Sequence, residues 1–203
     1  MRQIESQEKK RKAVFLDRDG VITEEPPRYA HRLDQLALVP CAAEAIRLLN
    51  ENGFLVVVVT NQSGIARGFY QEEDMHIFNN AMKGVLHKEK GARIDAIYWC
   101  PHHPEALHEQ YKVMCNCRKP KSGMIVNASI DLLIDLESSF MIGDKWSDIE
   151  AGRNAGCKTI MVRTGQGIQE FAIRDKPEMD YYTANILEAI HIILDYENKH
   201  VST

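Results

Sequence analysis

Two carboxylates that follow a short apolar run are the residues of this chain best suited to chemistry. The run Ala13–Leu16 is rich in β-forming residues, and Asp17, Arg18, Asp19 and Gly20 follow it directly. In open α/β sheets, ligands bind at the carboxyl ends of the strands. Two like charges crowded at such an end repel each other unless a cation or a proton lies between them. The pattern predicts a site for magnesium and phosphate chemistry, although Asp and Gly also occur in ordinary turns.

Polar residues follow two further apolar runs and would reach the same edge of a sheet. Residues 60–64, Thr-Asn-Gln-Ser-Gly, come after the run 54–59. Their hydroxyl and amide groups can donate to phosphate oxygens, or they can simply form a satisfied turn. Asp144 follows the run 140–142 and is placed to complete a magnesium site of oxygen ligands. Asp148 lies one helical turn later, where it would orient that site or favour a helix N-terminus.

Several basic residues lie near these acids. Arg118 and Lys119 are adjacent, and Lys145 follows Asp144 directly. Cations in loops are usually solvated, but the other clusters already imply an anion here. Arg67 would reach a phosphate or, more simply, solvent.

Cysteines and histidines form a separate pattern, C-x-H-x12-C-x-C. Three thiolates and one imidazole can make the closed tetrahedral shell of a structural zinc site, and the ligands would be Cys100, His102, Cys115 and Cys117. His103 competes with His102 as the nitrogen ligand, and spacing does not separate the two. Four protein ligands leave no open position, so this metal would stabilise the loop that carries Arg118 and Lys119 rather than catalyse a reaction.

The apolar runs alternate with amphipathic segments along the chain. This alternation predicts a three-layer α/β/α, Rossmann-like domain with a central parallel sheet and a zinc-stabilised loop. We expect one domain over residues 1–203, with a core at about 12–198 and the zinc loop at about 100–117. The predicted strands are 13–16, 54–59, 94–99, 140–142 and 159–162, and the predicted helices are 41–52, 71–90, part of 120–136, 146–155 and 185–196.

Composition excludes several classes of protein. The net charge of −4 gives no general attraction to nucleic acid or to an anionic membrane. Residues 1–12 are polar and lack the apolar core of a secretory signal, and the longest apolar run is too short to cross a bilayer. We therefore expect a cytoplasmic protein. No long exposed apolar stripe calls for a partner, so a monomer is the default expectation. The isolated Cys41 and Cys157 are expected to be core residues.

The motifs taken together resemble one family. They occur in the order 17–20 (DRDG), 60–68 (TNQSGIARG), 100–104 (CPHHP), 117–120 (CRKP) and 143–144 (GD). In this order they resemble the haloacid dehalogenase superfamily of phosphatases, and within it the heptose bisphosphate 7-phosphatases. The histidinol-phosphate phosphatases share the acid pair and the zinc loop, and the run Glu25-Pro26-Pro27 is similar to some of them.

The resemblance implies a role for each matching residue. Asp17 would be the nucleophile that forms an aspartyl-phosphate, and Asp19 the general acid and then the general base. Magnesium would be held by Asp17, Asp19 (through its backbone carbonyl) and Asp144. Thr60 and Lys119 would hold the phosphoryl oxygens. The residues left to bind substrate are Asn61, Gln62, Ser63, Arg118 and Lys145.

Three functions remain open at this point. The first is a phosphatase for heptose bisphosphate, and the second is a phosphatase for histidinol phosphate or another small sugar phosphate. The third is a non-catalytic binding protein on the same fold, against which the presence of both carboxylates argues. The segment 21–39 is too short for a large cap domain, so we expect only loops to cover the site.

Overall fold

The computed structural model describes residues 10–25, 28–174 and 178–201. Most of the polar N-terminal segment, the pair Pro26 and Pro27, and residues 202–203 lie outside the described ranges. Across those ranges, no helix is both long enough and apolar enough to cross a membrane.

A parallel sheet forms the centre of the molecule, as the alternating pattern predicts. In the described part of the chain it has six strands in the order β3-β2-β1-β4-β5-β6, and every neighbouring pair is parallel. The order of the strands reverses between β1 and β4, because β2 and β3 lie on one side of β1 and β4, β5 and β6 on the other. Ligands bind at such a switch point in open parallel sheets. The strands are β1 Ala13–Leu16, β2 Leu55–Asn61, β3 Ala96–Cys100, β4 Phe140–Gly143, β5 Lys158–Val162 and β6 Tyr181–Thr183.

Helices connect the strands and lie on both faces of the sheet. They are α1 Ala42–Glu51, α2 Ser63–Ala66, α3 Glu72–Lys90, α4 Gly123–Asp131, α5 Trp146–Ala155, α6 Gly167–Ala172 and α7 Ile186–Val201. Short 3-10 turns occur at Leu33–Gln35 and Glu109–Tyr111.

Alternating side chains of the central strands fill two separate cores. Val14 and Leu16 of β1 pack into the cluster that includes α1, α3 and α7. Ala13 and Phe15 point the other way, into the cluster that includes α4 and α5. In a strand that is buried on both faces every side chain packs in a core, which explains the continuous apolar runs of β1 and β2. The three-layer α/β/α prediction is confirmed.

Two elements near the C-terminus and one short helix were not predicted. β6 has three residues and only one of them is buried, so it lacks a continuous apolar run. α6 has six residues and α2 has four, which is too short for a helical period to show in the sequence. β2 also extends past its apolar run to Asn61, because its last residues pair with β3.

The segment that follows β1 lies over the carboxyl ends of the strands, and we call residues 21–39 the flap. It contains the 3-10 turn and an isolated antiparallel bridge between Thr23 and Leu38. Within the described residues the flap forms no folded cap, as the sequence predicts.

Gly152 marks the closest packing of α5 on the sheet. A Cβ there would lie 2.6 Å from Met141 Cβ and 2.9 Å from Thr159 Cγ2. We expect Gly152→Ala to lower the free energy of unfolding by about 1–3 kcal/mol through overpacking, as measured by urea denaturation. Gly84→Ala is the matched control, because Gly84 is an exposed position in α3 with nothing near its missing Cβ. It should raise stability by about 0.5–1 kcal/mol. Equal effects of the two substitutions would contradict the packing argument.

Candidate active site

Asp17 lies at the end of β1 beside a buried ammonium group. Lys119 Nζ is 2.9 Å from Asp17 Oδ1 and 2.6 Å from Asp148 Oδ1, and it donates to the Val59 carbonyl at 2.7 Å. The Arg18 backbone N–H also donates to Asp17 Oδ1 at 2.8 Å. Burial opposes ionisation of Asp17, but Lys119 and then Lys145 lower its pKa overall. The carboxylate is thus held in the charged form that a nucleophile needs.

Lys119 is buried, yet it stays charged. Burial would lower the pKa of its ammonium, but Asp148 and Asp17 raise that pKa overall. Its ammonium donates to the Val59 carbonyl and lies within ion-pair distance of both carboxylates.

A cluster of three buried carboxylates is suited to a divalent cation. One oxygen each from Asp17, Asp144 and Asp148 lies within 4.8 Å of the others. Asp144 Oδ2 accepts the Gln166 backbone N–H at 2.8 Å, whereas Asp144 Oδ1 is buried with no hydrogen-bond partner among the described residues. An orphaned carboxylate oxygen fits the oxygen ligands that magnesium prefers.

The electrostatics of this cluster show a deficit of positive charge. Burial, with the nearby charges of Asp148 and Asp17, raises the pKa of Asp144 to about 8, although Lys145 opposes the shift. Burial also raises the pKa of Asp148 to about 6 against the effect of Lys119. A bound cation would favour the charged form of both carboxylates and so oppose these shifts, which fits magnesium.

Both carboxylate oxygens of Asp148 contact other groups of the protein. Its Oδ2 accepts the Lys145 backbone N–H at the start of α5 at 3.0 Å, and its Oδ1 faces Lys119. Asp148 therefore both caps α5 and positions Lys119, which leaves Asp144 Oδ1 as the better metal ligand of the two.

Close backbone approach makes room for Asp144. Gly20 (φ +87°) and Gly165 (φ +58°) lie against its carboxylate, and a Cβ on either would collide with Oδ2. The glycine of the opening motif is therefore required both by its backbone conformation and by space.

Asp19 is oriented by a buried arginine rather than by the carboxylate cluster. Arg18 donates to both of its oxygens, at 3.0 and 2.9 Å, and Thr23 and Gln62 donate at 3.1 and 3.2 Å. The Asp19 carboxylate is not part of the three-carboxylate group, so its predicted metal contact remains one through the backbone carbonyl.

Arg18 joins the flap to the sheet, which the sequence analysis missed. It is fully buried, and it donates to the Ala30 carbonyl, to Gln62 Oε1 and to Asn79 Oδ1 at 2.9–3.1 Å. Its guanidinium lies 4.7 Å from the centre of the Phe78 ring. The available signal was an arginine between two acids at the end of a buried strand, where a solvated side chain is not expected.

Residues 60–63, at and just after the end of β2, make different contacts. Gln62 Nε2 donates to Thr60 Oγ1 at 2.8 Å, so the Thr60 hydroxyl proton is free to point at a ligand in the cavity that Thr60 lines. Asn61 bonds reciprocally with the Lys119 backbone, at 3.1 and 3.0 Å, and so fixes the position of that lysine. Ser63 lines the cavity, whereas Gln62 is buried behind it.

Lys145 closes the opposite wall. Its ammonium lies 2.8 Å from Glu25 Oε1 of the flap, and Gln166 Nε2 donates to Glu25 Oε2 at 2.9 Å. Burial opposes the charge, but Asp144, Asp17 and Glu25 raise the pKa of Lys145 above its usual value. Glu25 was not among the predicted site residues.

These side chains enclose a cavity of about 260 Å³, which we call the catalytic cavity. Its wall includes all the residues predicted for catalysis, substrate binding and magnesium except Gln62 and Asp144, which are buried behind it. The lining residues are Asp17, Asp19, Glu25, Arg28, Tyr29, Ala30, Thr60, Asn61, Ser63, Arg118, Lys119, Lys145, Ser147 and Asp148.

The predicted zinc ligands come together at the end of β3. Ligand atoms of Cys100, His102, Cys115 and Cys117 all lie within 4.8 Å of one another. Cys100 Sγ is 3.6 Å from Cys115 Sγ, and His102 Nδ1 is 3.3 Å from Cys117 Sγ. The hydrogen bond between Cys100 and Cys117 raises the pKa of the first and lowers that of the second. This donor set can hold a tetrahedral zinc ion.

The structure selects His102 over His103 as the nitrogen ligand. One ring nitrogen of His103 accepts the Glu105 backbone N–H at 3.0 Å, and the other lies 2.8 Å from Arg67 Nη2. Arg67 thus contacts the zinc loop, while Arg118 Nη1 donates to the His102 carbonyl at 3.3 Å and lines the catalytic cavity.

The other two cysteines lie outside this cluster. Cys157 is buried, as predicted, whereas Cys41 is exposed at the start of α1, so its assignment to the core was wrong. Its backbone adopts a left-handed conformation (φ 66°), which turns it away from the apolar stripe of the helix.

Comparison with known proteins identifies the family. A family model described as HAD-hydrolase-like matches residues 116–189. The D-glycero-beta-D-manno-heptose-1,7-bisphosphate 7-phosphatase of Haemophilus ducreyi is 44% identical over 159 residues. The match covers 78% of this chain and 86% of that protein. The D-glycero-D-manno-heptose-1,7-bisphosphate 7-phosphatase of Thermosynechococcus vestitus is 40% identical over 188 residues, which cover 90% of this chain and 95% of that protein.

A solved structure agrees with these relatives. The D,D-heptose 1,7-bisphosphate phosphatase of B. bronchiseptica, complexed with magnesium and phosphate, superposes with a TM-score of 0.82 at 30% identity. The match covers 91% of this chain and 99% of that one. The chain belongs to the haloacid dehalogenase-like hydrolases, in the family that contains the D-glycero-D-manno-heptose-1,7-bisphosphate 7-phosphatases.

Proposed function

We propose that this chain is a magnesium-dependent phosphatase that removes the 7-phosphate of D-glycero-D-manno-heptose 1,7-bisphosphate. The observation that carries the chemistry is the ionised Asp17, held 2.9 Å from Lys119 at the floor of a cavity. The substrate is supported by relatives at 40–44% identity that bear this name.

The first step would transfer the phosphoryl group to Asp17. A carboxylate oxygen attacks phosphorus, and the bond from phosphorus to the sugar oxygen breaks. Asp19 donates its proton to that leaving oxygen. The Thr60 hydroxyl, which Gln62 orients, donates to a phosphoryl oxygen, and the charge of Lys119 stabilises the developing negative charge.

The second step would release phosphate. Asp19, now a carboxylate, removes a proton from the water that attacks phosphorus, and the bond from phosphorus to Asp17 breaks. Both steps need Asp19 to reach the same region of the cavity, and Arg18, Thr23 and Gln62 hold it there.

Magnesium, when bound, supplies the positive charge that lets an anionic carboxylate approach an anionic phosphate. The residues that would hold it are Asp17, Asp144 through the orphaned Oδ1, and the backbone carbonyl of Asp19.

The charges in the catalytic cavity favour a substrate with two phosphates over histidinol phosphate. The Glu25 carboxylate is engaged by Lys145 and Gln166, so it is not available to an ammonium group. Among the described residues, the cations of the wall without a carboxylate partner are Arg28 and Arg118. Unpaired guanidinium groups recognise a second anion.

We further propose that the enzyme is a cytoplasmic monomer built as one domain. The cluster of three cysteines and one histidine supports this location, because thiol ligands for a metal must stay reduced.

Substitution of the nucleophile tests the reaction. Asp17→Asn should lower kcat by at least about 10⁴-fold because an amide does not form the phosphoenzyme. Phosphate release would be measured with both anomers of heptose 1,7-bisphosphate and with histidinol phosphate. Asp34→Asn, an exposed flap carboxylate, is the control and should retain normal turnover. Full activity of Asp17→Asn would refute the mechanism, and a wild-type preference for histidinol phosphate would refute the substrate.

Stability as a function of pH tests the magnesium site. Without a cation the folded chain keeps a proton on Asp144 up to a pKa of about 8, whereas the ordinary value is 3.8. Folding then takes up a proton between these pH values. The contribution of Asp144 to the free energy of unfolding should therefore fall as pH rises, by at most about 1.4 kcal/mol per pH unit.

Magnesium should reduce this pH dependence, because the cation replaces the proton. Urea denaturation between pH 5 and about 8.5, with and without magnesium chloride, measures the slope. Asp144→Asn should show a shallower slope that magnesium does not change. A wild-type slope that responds to neither magnesium nor this substitution would contradict the assignment.

Metal content tests the zinc loop. Protein purified without chelator should hold about one zinc per chain by elemental analysis. Cys117→Ser should lose the metal and lower kcat/KM by about 100-fold, the typical cost of moving a catalytic group by 1 Å, because the same loop carries Lys119. Cys41→Ser is the control and should change neither quantity. Full activity in zinc-free Cys117→Ser would show that the loop does not depend on the metal.

A further inference from the structure

The side-chain amide of Gln62 is buried behind the wall of the catalytic cavity, and all of its hydrogen-bonding positions are occupied by protein groups. Its Nε2 donates to Thr60 Oγ1 at 2.8 Å and to Asp19 Oδ2 at 3.2 Å. Its Oε1 accepts from the Tyr70 hydroxyl at 2.6 Å and from Arg18 Nη2 at 3.1 Å. An amide has two N–H donors and two carbonyl lone pairs, so the bonds of this amide are all made within the protein.

The charged partners of the Gln62 amide fix the direction in which it faces. If the amide turned by 180°, its oxygen would lie against the Asp19 carboxylate and its NH2 group against the Arg18 guanidinium. Both contacts would then be repulsive. In the observed orientation one amide donates to the Thr60 hydroxyl and to the Asp19 carboxylate, so any movement of the amide disturbs both.

The Tyr70 hydroxyl reaches this amide because its ring is held by close packing. Tyr70 is 4% exposed, and a Cβ on Gly64 would lie 2.2 Å from its Cε1, so the ring fills space that only a glycine leaves. The His31 ring of the flap stacks on the Tyr70 ring, with centres 4.8 Å apart and planes 7° apart. Burial raises the pKa of Tyr70 above its usual value, so the hydroxyl keeps the proton that it donates to Gln62.

We propose that Tyr70 is a positioning residue that acts through the Gln62 amide to hold both the Thr60 hydroxyl and the Asp19 carboxylate where phosphoryl transfer needs them. The inference rests on the proposed function for the roles of Thr60 and Asp19. Without the Tyr70 hydroxyl, Gln62 Oε1 keeps only the Arg18 contact among those described, and the amide is free to rotate away from its two acceptors. Tyr70 itself does not line the catalytic cavity.

Removal of one hydroxyl group tests the inference. Tyr70→Phe keeps the ring and should lower kcat for heptose 1,7-bisphosphate by about 10-fold, the effect of about one hydrogen bond in the transition state. KM should change by less than about 2-fold, because Tyr70 does not contact the substrate. Tyr98→Phe is the matched control, since the Tyr98 hydroxyl donates to Asp131 Oδ2 at 2.7 Å and lines no part of the catalytic cavity. Normal turnover of Tyr70→Phe would overturn the inference.

A double substitution tests whether the effect passes through the amide. Gln62→Met has a side chain of similar length that donates no hydrogen bond, and it should also lower kcat. Adding Tyr70→Phe to Gln62→Met should lower kcat by less than about 2-fold more, because the amide that links the two sites is already gone. Urea denaturation would check that each variant is folded. A full further loss of about 10-fold would show that Tyr70 acts by another route, which would overturn the inference.

Two aryl phosphates test the link to Asp19 without relying on the identity of the sugar. Phenyl phosphate releases a basic phenolate that needs a proton from Asp19, whereas p-nitrophenyl phosphate releases an anion that is stable without one. Tyr70→Phe should therefore lower kcat/KM more for phenyl phosphate than for p-nitrophenyl phosphate. Equal losses on the two substrates would overturn the inference, because a general loss of packing does not distinguish leaving groups.

A measurement that needs no turnover separates this inference from the proposed function. In ¹⁵N-labelled protein, the side-chain NH2 signals of Gln62 are identified by their absence in Gln62→Met. Tyr70→Phe should speed the exchange of these protons with solvent, and Tyr98→Phe should not. Faster exchange in a protein that hydrolyses no phosphate ester would support the hydrogen-bond link, and only the proposed function would fail. Unchanged exchange in Tyr70→Phe would overturn the inference.

Discussion

Three carboxylates buried in one small volume repel each other strongly, and the active site of this protein is organised by the positive charges that balance them. Lys119 supplies one of these charges from within, at hydrogen-bond distance from Asp17 and Asp148. Asp144 Oδ1 has no hydrogen-bond partner among the described residues, and burial, together with the charges of Asp148 and Asp17, raises the pKa of Asp144 to about 8. Lys119 lies against two of the three carboxylates, and Asp144 is left to bind a cation. The charges of the cluster therefore favour a bound metal.

The position of Lys119 depends on structure far from the catalytic floor. Asn61, at the end of β2, holds its backbone with two hydrogen bonds. Cys117, two residues before it, belongs to the cluster that can hold zinc, and Cys100 of that cluster ends β3. The zinc loop is thus attached to the sheet at one end and delivers the lysine at the other. A structural metal can affect catalysis in this way without touching the substrate.

The flap is connected to the same machinery by two different contacts. Arg18 reaches from the end of β1 to the Ala30 carbonyl, and the pair of Glu25 with Lys145 crosses the cavity. Arg18 also orients Asp19, so the residue proposed to move the proton and the flap are both held by this side chain. The flap residues Arg28 and Tyr29 lie next to Ala30 in the chain and line the catalytic cavity.

Much of this protein was determined by local patterns in its sequence. Three local features predicted the sheet, its functional edge and the metal cluster. They are the apolar runs of β1 and β2, the acids that follow β1 and β4, and the spacing of Cys100, His102, Cys115 and Cys117. These features depend on burial and on ligand geometry over a few residues, which a sequence displays directly. The short elements α2, α6 and β6 were missed because they are too short to show a period.

Only the tertiary structure decided which polar groups meet. Asp17 and Lys119 are far apart in the chain, and nothing local shows that the ammonium lies against Asp17, Asp148 and the Val59 carbonyl. The same holds for the choice of His102 over His103, for the exposure of Cys41, and for the burial of Arg18. The acid pair at the end of β1 predicted the reaction because charge and position were local, whereas the arrangement of cations around it required the folded chain.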